Sequence, residues 1–227
     1  MGCVMTVRLG ALMAFQRRVL IVEDDGFVRG LMTQVLTAAD FDVRAASDVV
    51  EATTAFGAFD PDAVIVDIHL GPGPTGLELA QSLKVKSPGL AVLAVSNYPT
   101  AASAGISDQM PDDAAFVCKS ALSTPGALIE ALEASLTNSA SSLRALQQQD
   151  SPLGQLTATQ IDILRLIALG WSNAEIAEQR GSTQRSVEQM VHKIFRALGV
   201  KDDPRKNARV EAVKLYAEVF GIPAAAE

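Results

Sequence analysis

The sequence predicts a doubly wound α/β domain built on a parallel sheet, followed by a small all-α domain. Three observations carry that expectation. From Arg18 to Leu136, short β-branched runs alternate with segments of helical period, the pattern of consecutive β-α units. Val19-Leu20-Ile21-Val22 and Val64-Ile65-Val66 are apolar at every position, as strands covered on both faces are. Beyond about residue 155 only helical periods remain.

Taken in order, Arg18 to Val22 is the first strand. Apolar residues at 27, 28, 31, 32, 35 and 36 then follow helical spacing to Ala39. Val43 to Ala46 is a short second strand, and Ser47-Asp48 can cap a helix from Val49 to Phe56. Ala63 to Val66 is the third strand, ending in Asp67 and a Gly/Pro-rich loop from Gly71 to Gly76. Leu77, Leu79, Ala80 and Leu83 mark a helix stopped by Ser87-Pro88-Gly89. Leu90 to Val95 leads into Ser96-Asn97, and Ala114 to Cys118 leads into Lys119. Pro125 begins a last helix through Leu136, with proline at a permitted first-turn position.

A length of 227 residues suffices for two modest domains with cores of their own. Net charge is −7, unevenly spread: residues 1–150 hold 9 Lys+Arg against 17 Asp+Glu, and residues 151–227 hold 10 against 9. The acidic total therefore does not argue against a nucleic-acid partner for the second half. Cys3 and Cys118 are too few for a disulfide framework, so a reducing cytoplasm is the expected location. No run approaches the ~20 apolar residues of a membrane span, and no membrane partner is expected. Residues 1–16 read as a disordered leader, with Met5 or Met13 as alternative starts; Met1-Gly2-Cys3-Val4-Met5-Thr6 also fits a loose myristoylation pattern.

A doubly wound sheet collects the carboxyl ends of its strands at one edge, where such folds bind ligands. Glu23 and Asp24 follow the first strand, Asp67 ends the third, Ser96 the fourth, and Lys119 follows the fifth. Clustered carboxylates repel unless a hard cation neutralises them, and oxygen donors suit Mg²⁺. A divalent ion, a hydroxyl and an ammonium can together neutralise a phosphoryl group arriving on a nucleophilic Asp67. Singly, the residues have plainer readings: Asp67 as a turn residue, Ser96 as a cap, Lys119 as a solvated charge, Asp25 in place of Glu23. Two histidines and a mid-strand Cys118 make no transition-metal site.

In that order across Arg18 to Leu136, the acid pair, lone aspartate, Ser and Lys resemble a response-regulator receiver domain (residues 17–137). The resemblance implies a flavodoxin-like five-stranded sheet of order 2-1-3-4-5 and phosphorylation of Asp67 by a histidine kinase. It implies Mg²⁺ held by Asp24, Asp67, the backbone carbonyl of His69, and Glu23 through water. Ser96 would contact the phosphoryl group and move on activation, Lys119 would pair with it, and Phe116 would fill the aromatic switch position. Glu23 is preferred to Asp25 because Arg29 then falls at the family's spacing. Three features depart from the family: a loop from Asp67 to Gly76 one residue longer than usual, Ser120 where many receivers have a cis-proline, and the stretch Tyr98 to Pro111. That stretch has two prolines, an internal Gly105 and little apolar face, so its helix is expected to be short or irregular.

Residues 138–155, rich in Ser, Gln and Asn, read as a linker, with a helical turn around Leu143 to Gln147. Thr157 then caps a helix with Ile161, Ile163, Leu164, Ile167 and Ala168 inward, and Ser172 caps a second with Ala174, Ile176 and Ala177 inward. Thr183 opens a third, with a stripe at Val187, Met190, Val191, Ile194, Phe195 and Leu198. A fourth runs from about Arg205 to Phe220, with Val210, Val213, Leu215 and Ala217 partly inward. Very short turns and a long polar third helix fit a helix-turn-helix unit. Its outward Gln184, Arg185, Glu188, Gln189, His192, Lys193 and Arg196 can reach base edges or phosphates, or form an ordinary solvated face.

Leu156-Thr157, the run Trp171-Ser172-Asn173 with Glu175-Ile176-Ala177, Ser186-Val187 and Leu198-Gly199-Val200 resemble the LuxR-type DNA-binding domain of NarL/FixJ-like regulators, over residues 156–221, with 222–227 a tail. The resemblance implies a third helix in the major groove of double-stranded DNA, contacts from Asn173, Thr183, Gln184, Arg185, Ser186, Glu188, Gln189, His192 and Lys193, and a fourth helix contributing to a homodimer. Glu188 replaces the family's usual Lys, Met190 a common His, Arg180-Gly181 an apolar residue, and Lys201 to Ala208 adds length. An acid facing phosphates weakens binding, though Glu can accept from cytosine N4. The chain thus reads as a transcriptional regulator of a two-component system, catalysing only its own phosphoryl transfer and dephosphorylation. The alternatives are a phosphorylation-independent or RNA-binding regulator and a Mg-dependent phosphohydrolase, although the last usually carries a second acid where His69 stands.

Overall fold

A strand can be apolar at every position only if both faces are covered, and the computed structural model shows how the first domain does this. It describes residues 16–71, 73–138, 152–200 and 206–221. Five parallel strands, β1 (Arg18–Val22), β2 (Asp42–Ala46), β3 (Ala63–Asp67), β4 (Ala91–Ser96) and β5 (Ala115–Cys118), form one sheet of order β2-β1-β3-β4-β5. Successive side chains alternate faces. Val19, Ile21, Ile65, Leu93 and Val95 meet Met32 and Leu36 of α1 (Gly26–Ala38) and Leu128 and Leu132 of α4 (Pro125–Leu136). Leu20, Val22, Val64, Val66 and Val92 meet Ala52 of α2 (Val49–Phe59) and Leu79, Ala80 and Leu83 of α3 (Gly76–Lys86).

Helix starts follow local chemistry. Asp48 accepts from the N–H groups of Val50 and Glu51, and Thr75 forms a reciprocal capping box with Glu78. The α1 stripe is wider than the sheet covers: Phe27 is 81% and Leu31 51% exposed, so two of the apolar residues that mark its helical spacing face water.

Between β4 and β5 there is no α-helix. Residues 98–114 make turns and a single 3₁₀ segment, Ser107–Gln109. Side chains take the place of helical hydrogen bonds here. Buried Ser103 Oγ accepts from Thr100 N–H (3.0 Å) and donates to Thr100 O (2.8 Å), while Thr100 Oγ1 accepts from Ser103 N–H (3.0 Å). Gly105, at φ 74°, turns the chain back. Ala101, Ile106 and Met110 pack over Ile68, Ala94 and Phe116.

The second domain contains a 3₁₀ turn (Pro152–Gln155) and helices α5 (Ala158–Ala168), α6 (Asn173–Gln179), α7 (Gln184–Ala197) and α8 (Ala208–Phe220). Its core already includes Leu153, three residues before the expected start at Leu156. Thr157, Ser172 and Thr183 cap α5, α6 and α7 through their hydroxyls, and Asn207 caps α8. Val187, Val191 and Ile194 of α7, and Leu198 just after it, are buried as expected. Two inward assignments are corrected: Ala174 and Val210 are exposed, and α8 instead buries Ala212 and Tyr216. The expected leader, apart from Gln16, lies outside the described residues. So do the myristoylation pattern, the Leu143–Gln147 turn, residues 201–205 and the 222–227 tail.

Candidate functional site

The register Val22↔Val66 sets the ends of β1 and β3 side by side. Glu23 (1% exposed) and Asp67 (6% exposed) emerge there, with Asp24 on the open side. Carboxylate oxygens of the three lie within 4.8 Å of one another. Lys119 follows β5 and reaches back across the sheet edge. Its Nζ is 2.8 Å from the Glu23 carboxylate and 2.8 Å from Asp67 Oδ2. The other Asp67 oxygen accepts the His69 N–H at 3.1 Å.

One ammonium thus holds two enclosed acids. Burial pushes the Glu23 carboxyl above its ordinary value; Lys119 pulls it down, Asp67 pushes it up again, and the net shift is upward. Burial disfavours the Lys119 charge, but hydrogen bonds to Asp67 and Glu23 outweigh it and hold the ammonium above its ordinary value. A third carboxylate, Asp24, remains exposed beside the pair. Hard oxygen donors with excess negative charge and one open side fit a divalent cation such as Mg²⁺.

Asp25 lies in a different role: its carboxylate caps α1, accepting from Phe27 N–H (2.8 Å) and Val28 N–H (3.0 Å). Arg29, one turn into α1, donates to the backbone carbonyls of Glu23 (2.6 Å) and Asp24 (3.1 Å) and so fixes the acid loop. Ser96 is fully buried and its Oγ accepts the Tyr98 N–H at 3.2 Å. Phe116 is buried beneath the β4–β5 crossover with Ile68 and Ala94.

Two residues of the site, Tyr98 and Gly76, were not singled out from the sequence for a role there. The His69 ring lies 5.8 Å from that of Tyr98. Gly76, the first residue of α3, sits against the phosphoacceptor candidate itself: a Cβ built there would lie 1.9 Å from the Asp67 carbonyl oxygen and 2.6 Å from Val66 Cγ2. Only glycine permits that approach. Because the obstruction is backbone, Gly76→Ala is expected to cost about 3 kcal/mol or more, at the upper end of overpacking effects. Urea denaturation of the variant checks this, and an unchanged midpoint would show that α3 can slide away without loss.

In the second domain, Gln184, Arg185, Ser186, Glu188, Gln189, His192 and Lys193 are all exposed on α7, as is the cap Thr183. Glu188 Oε1 accepts from Gln184 Nε2 at 2.9 Å, which turns two reading-face candidates toward each other. Asn173 is half-buried at the start of α6, where its Oδ1 accepts from Arg209 Nη1 at 3.0 Å. Arg209 also donates to the Trp171 carbonyl, tying α8 to the turn before α6. Among the described residues, no helix is long and apolar enough to cross a membrane.

Comparison with known proteins follows the same division. Residues 19–112 match the response regulator receiver domain, and residues 154–206 match the bacterial regulatory proteins of the luxR family. The nitrate/nitrite response regulator protein NarL of Escherichia coli K12 is 30% identical over 207 residues, which cover 86% of this chain and 92% of that protein. The DNA-binding transcriptional activator DevR/DosR of Mycobacterium tuberculosis is 27% identical over 209 residues, covering 87% and 94%. Among solved structures, the RcsB response regulator of Salmonella typhimurium aligns with a TM-score of 0.49 at 22% identity, covering 90% of this chain and 98% of that one.

Proposed function

Since this chain belongs to the response regulators that join a receiver domain to a LuxR-type DNA-binding domain, we propose that it is a phosphorylation-dependent transcriptional regulator with Asp67 as phosphoacceptor. The observation that carries this reading is Lys119 bound to both Glu23 and Asp67 beside an open Asp24. That arrangement sets a positive charge where an incoming phosphoryl oxygen needs one.

In the proposed reaction an Asp67 carboxylate oxygen attacks the phosphorus of a kinase phosphohistidine. A P–O bond forms, the P–N bond breaks, and the imidazole leaves with its electron pair and takes up a proton. Asp24, Asp67 and the His69 carbonyl would hold Mg²⁺, with Glu23 acting through water. When bound, the ion neutralises charge on the phosphoryl oxygens. Lys119 pairs with one of those oxygens, Ser96 Oγ donates to another, and Phe116 follows Ser96. The phosphorylated state is favoured by these differential contacts, and no other source of energy is needed.

For output, α7 enters the major groove of double-stranded DNA. Arg185, Gln189, His192 and Lys193 meet bases or phosphates, Gln184, Ser186 and Thr183 flank them, and Glu188 accepts from a cytosine amine. Asn173 contributes through its amide nitrogen, since its oxygen is engaged by Arg209. A homodimer would bind two half-sites, in the cytoplasm, with a histidine kinase as upstream partner. The test is retention of the full chain on a random-sequence duplex DNA pool and on a matched RNA pool, with and without acetyl phosphate and Mg²⁺, across a salt series. Duplex retention that rises with the donor supports the reading. Equal retention of both nucleic acids, indifferent to the donor, refutes it.

A further inference from the structure

Neighbouring carboxylates ordinarily draw an arginine into an ion pair, because a carboxylate is the stronger acceptor for a guanidinium. Arg29, half-buried one turn beyond Glu23-Asp24-Asp25, gives its Nη1 to backbone carbonyls instead, those of Glu23 (2.6 Å) and Asp24 (3.1 Å). Its own backbone N–H donates to the Asp25 carbonyl at 2.9 Å. All three backbone carbonyls of the acid loop thus end on one residue. The rest of the loop is held as well. Glu23 N–H donates to the Ala46 carbonyl at 3.1 Å, and the Asp25 carboxylate caps α1. What the loop offers the open side of the site is the Asp24 carboxylate.

Occupied carbonyls bear on which ion fits. Mg²⁺ demands a near-octahedral shell, keeps several waters and takes one or two carboxylates. Ca²⁺ gathers about six to eight oxygens in a flexible shell that commonly includes backbone carbonyls. A loop with its carbonyls engaged and its carboxylates held still suits the smaller ion and cannot wrap the larger one.

We propose that Arg29 is the positioning residue of the cation site: by holding the three carbonyls of the acid loop, it sets the affinity for Mg²⁺ and the preference for Mg²⁺ over Ca²⁺. The proposal rests on the cation reading above and assigns the quality of that site to a residue that does not touch the ion. Charge alone argues the other way. A guanidinium beside the site repels a divalent cation, so removing it would tighten binding if Coulomb repulsion were its only effect. Positioning and charge therefore predict opposite signs.

Calorimetric titration of the full chain with MgCl₂ and with CaCl₂ reads that sign, beside urea denaturation without metal as a check on folding. Arg29→Met keeps the stem and removes the guanidinium donors. It is expected to weaken Mg²⁺ binding by about three- to tenfold, the loss of one or two hydrogen bonds that fix the loop. Ca²⁺ binding should weaken by less than about twofold, because freed carbonyls can join the larger shell. Arg29→Lys, whose ammonium can donate to both carbonyls, should stay within about twofold of wild type for both ions. Should Arg29→Met not fold, Arg29→Gln, which is too short to bridge the two carbonyls, is read by the same criteria. Unchanged or tighter Mg²⁺ binding overturns the proposal, as does a loss equal for both ions or one that Arg29→Lys shares in full. Asp24→Asn separates premise from inference. Mg²⁺ binding that survives Asp24→Asn, or a wild type that binds no Mg²⁺, overturns the cation site itself and Arg29's part in it.

Discussion

Asp67→Asn is expected to reduce phosphoryl incorporation from acetyl phosphate to background while leaving the chain folded. An amide oxygen is a far weaker nucleophile than a carboxylate, so the chemical step loses its attacking group. The fold loses little. Asn nearly matches Asp in volume, its oxygen can still accept from Lys119 or from the His69 N–H, and one of two repelling acids around Lys119 is gone. Intact-mass measurement after incubation with acetyl phosphate and Mg²⁺, beside urea denaturation of the same sample, separates the two effects. Undiminished labelling would assign the phosphoryl group to another residue, and Asp24 is the first to examine. A variant that neither labels nor folds would remove the argument from charge relief.

The strand ends that assemble this site were legible because each strand is short, apolar and stopped by a polar residue, so topology alone brings Glu23, Asp67, Ser96 and Lys119 to one edge. The missing crossover helix was legible too, from Pro99, Gly105 and Pro111 within one stretch. What was not legible depends on through-space approach. Nothing in the local sequence says that Gly76 will press on the Asp67 carbonyl, since that follows from how α3 lies on the sheet. Tyr98 read as one more residue of an irregular loop because its partner, Phe220, is more than a hundred residues away in the other domain. On α8, Val213, Leu215 and Ala217 are partly buried as expected, whereas Val210 was misassigned and Ala212 and Tyr216 were not singled out, because small and apolar residues are spread around the helix. Burial of Ala212 and Tyr216 was decided by what α5 offers them. Phe27 and Leu31 continue a stripe that the sheet is too narrow to cover.

Lys119→Met is expected to lower stability substantially, and its pH dependence is diagnostic. The methionine keeps the stem that crosses the sheet edge and removes the charge, leaving Glu23 and Asp67 enclosed with no counter-ion. Breaking a fully buried pair costs about 3–5 kcal/mol; with Asp24 and the mouth of the site open to water, about 2–3 kcal/mol is expected at neutral pH. In the wild type the Glu23 carboxyl is already raised by burial against the pull of Lys119. Without that pull, burial and Asp67 both act upward and Glu23 rises further. A raised carboxyl binds its proton more tightly in the folded state. Its favourable contribution is complete below the ordinary value of 4.5 and is lost as pH rises through the folded value. The deficit of Lys119→Met should therefore shrink toward pH 5 and grow toward pH 8. At the alkaline end the wild type behaves in the complementary way. Its ammonium is held above 10.5, so the stability it contributes persists below that value and is lost only as pH climbs through the raised one. A divalent cation supplies the missing positive charge, so Mg²⁺ should stabilise Lys119→Met more than wild type. Urea midpoints at pH 5 and pH 8, with and without MgCl₂, read all of this. A deficit equal at both pH values and blind to Mg²⁺ would mean that Lys119 supports the sheet edge by packing alone.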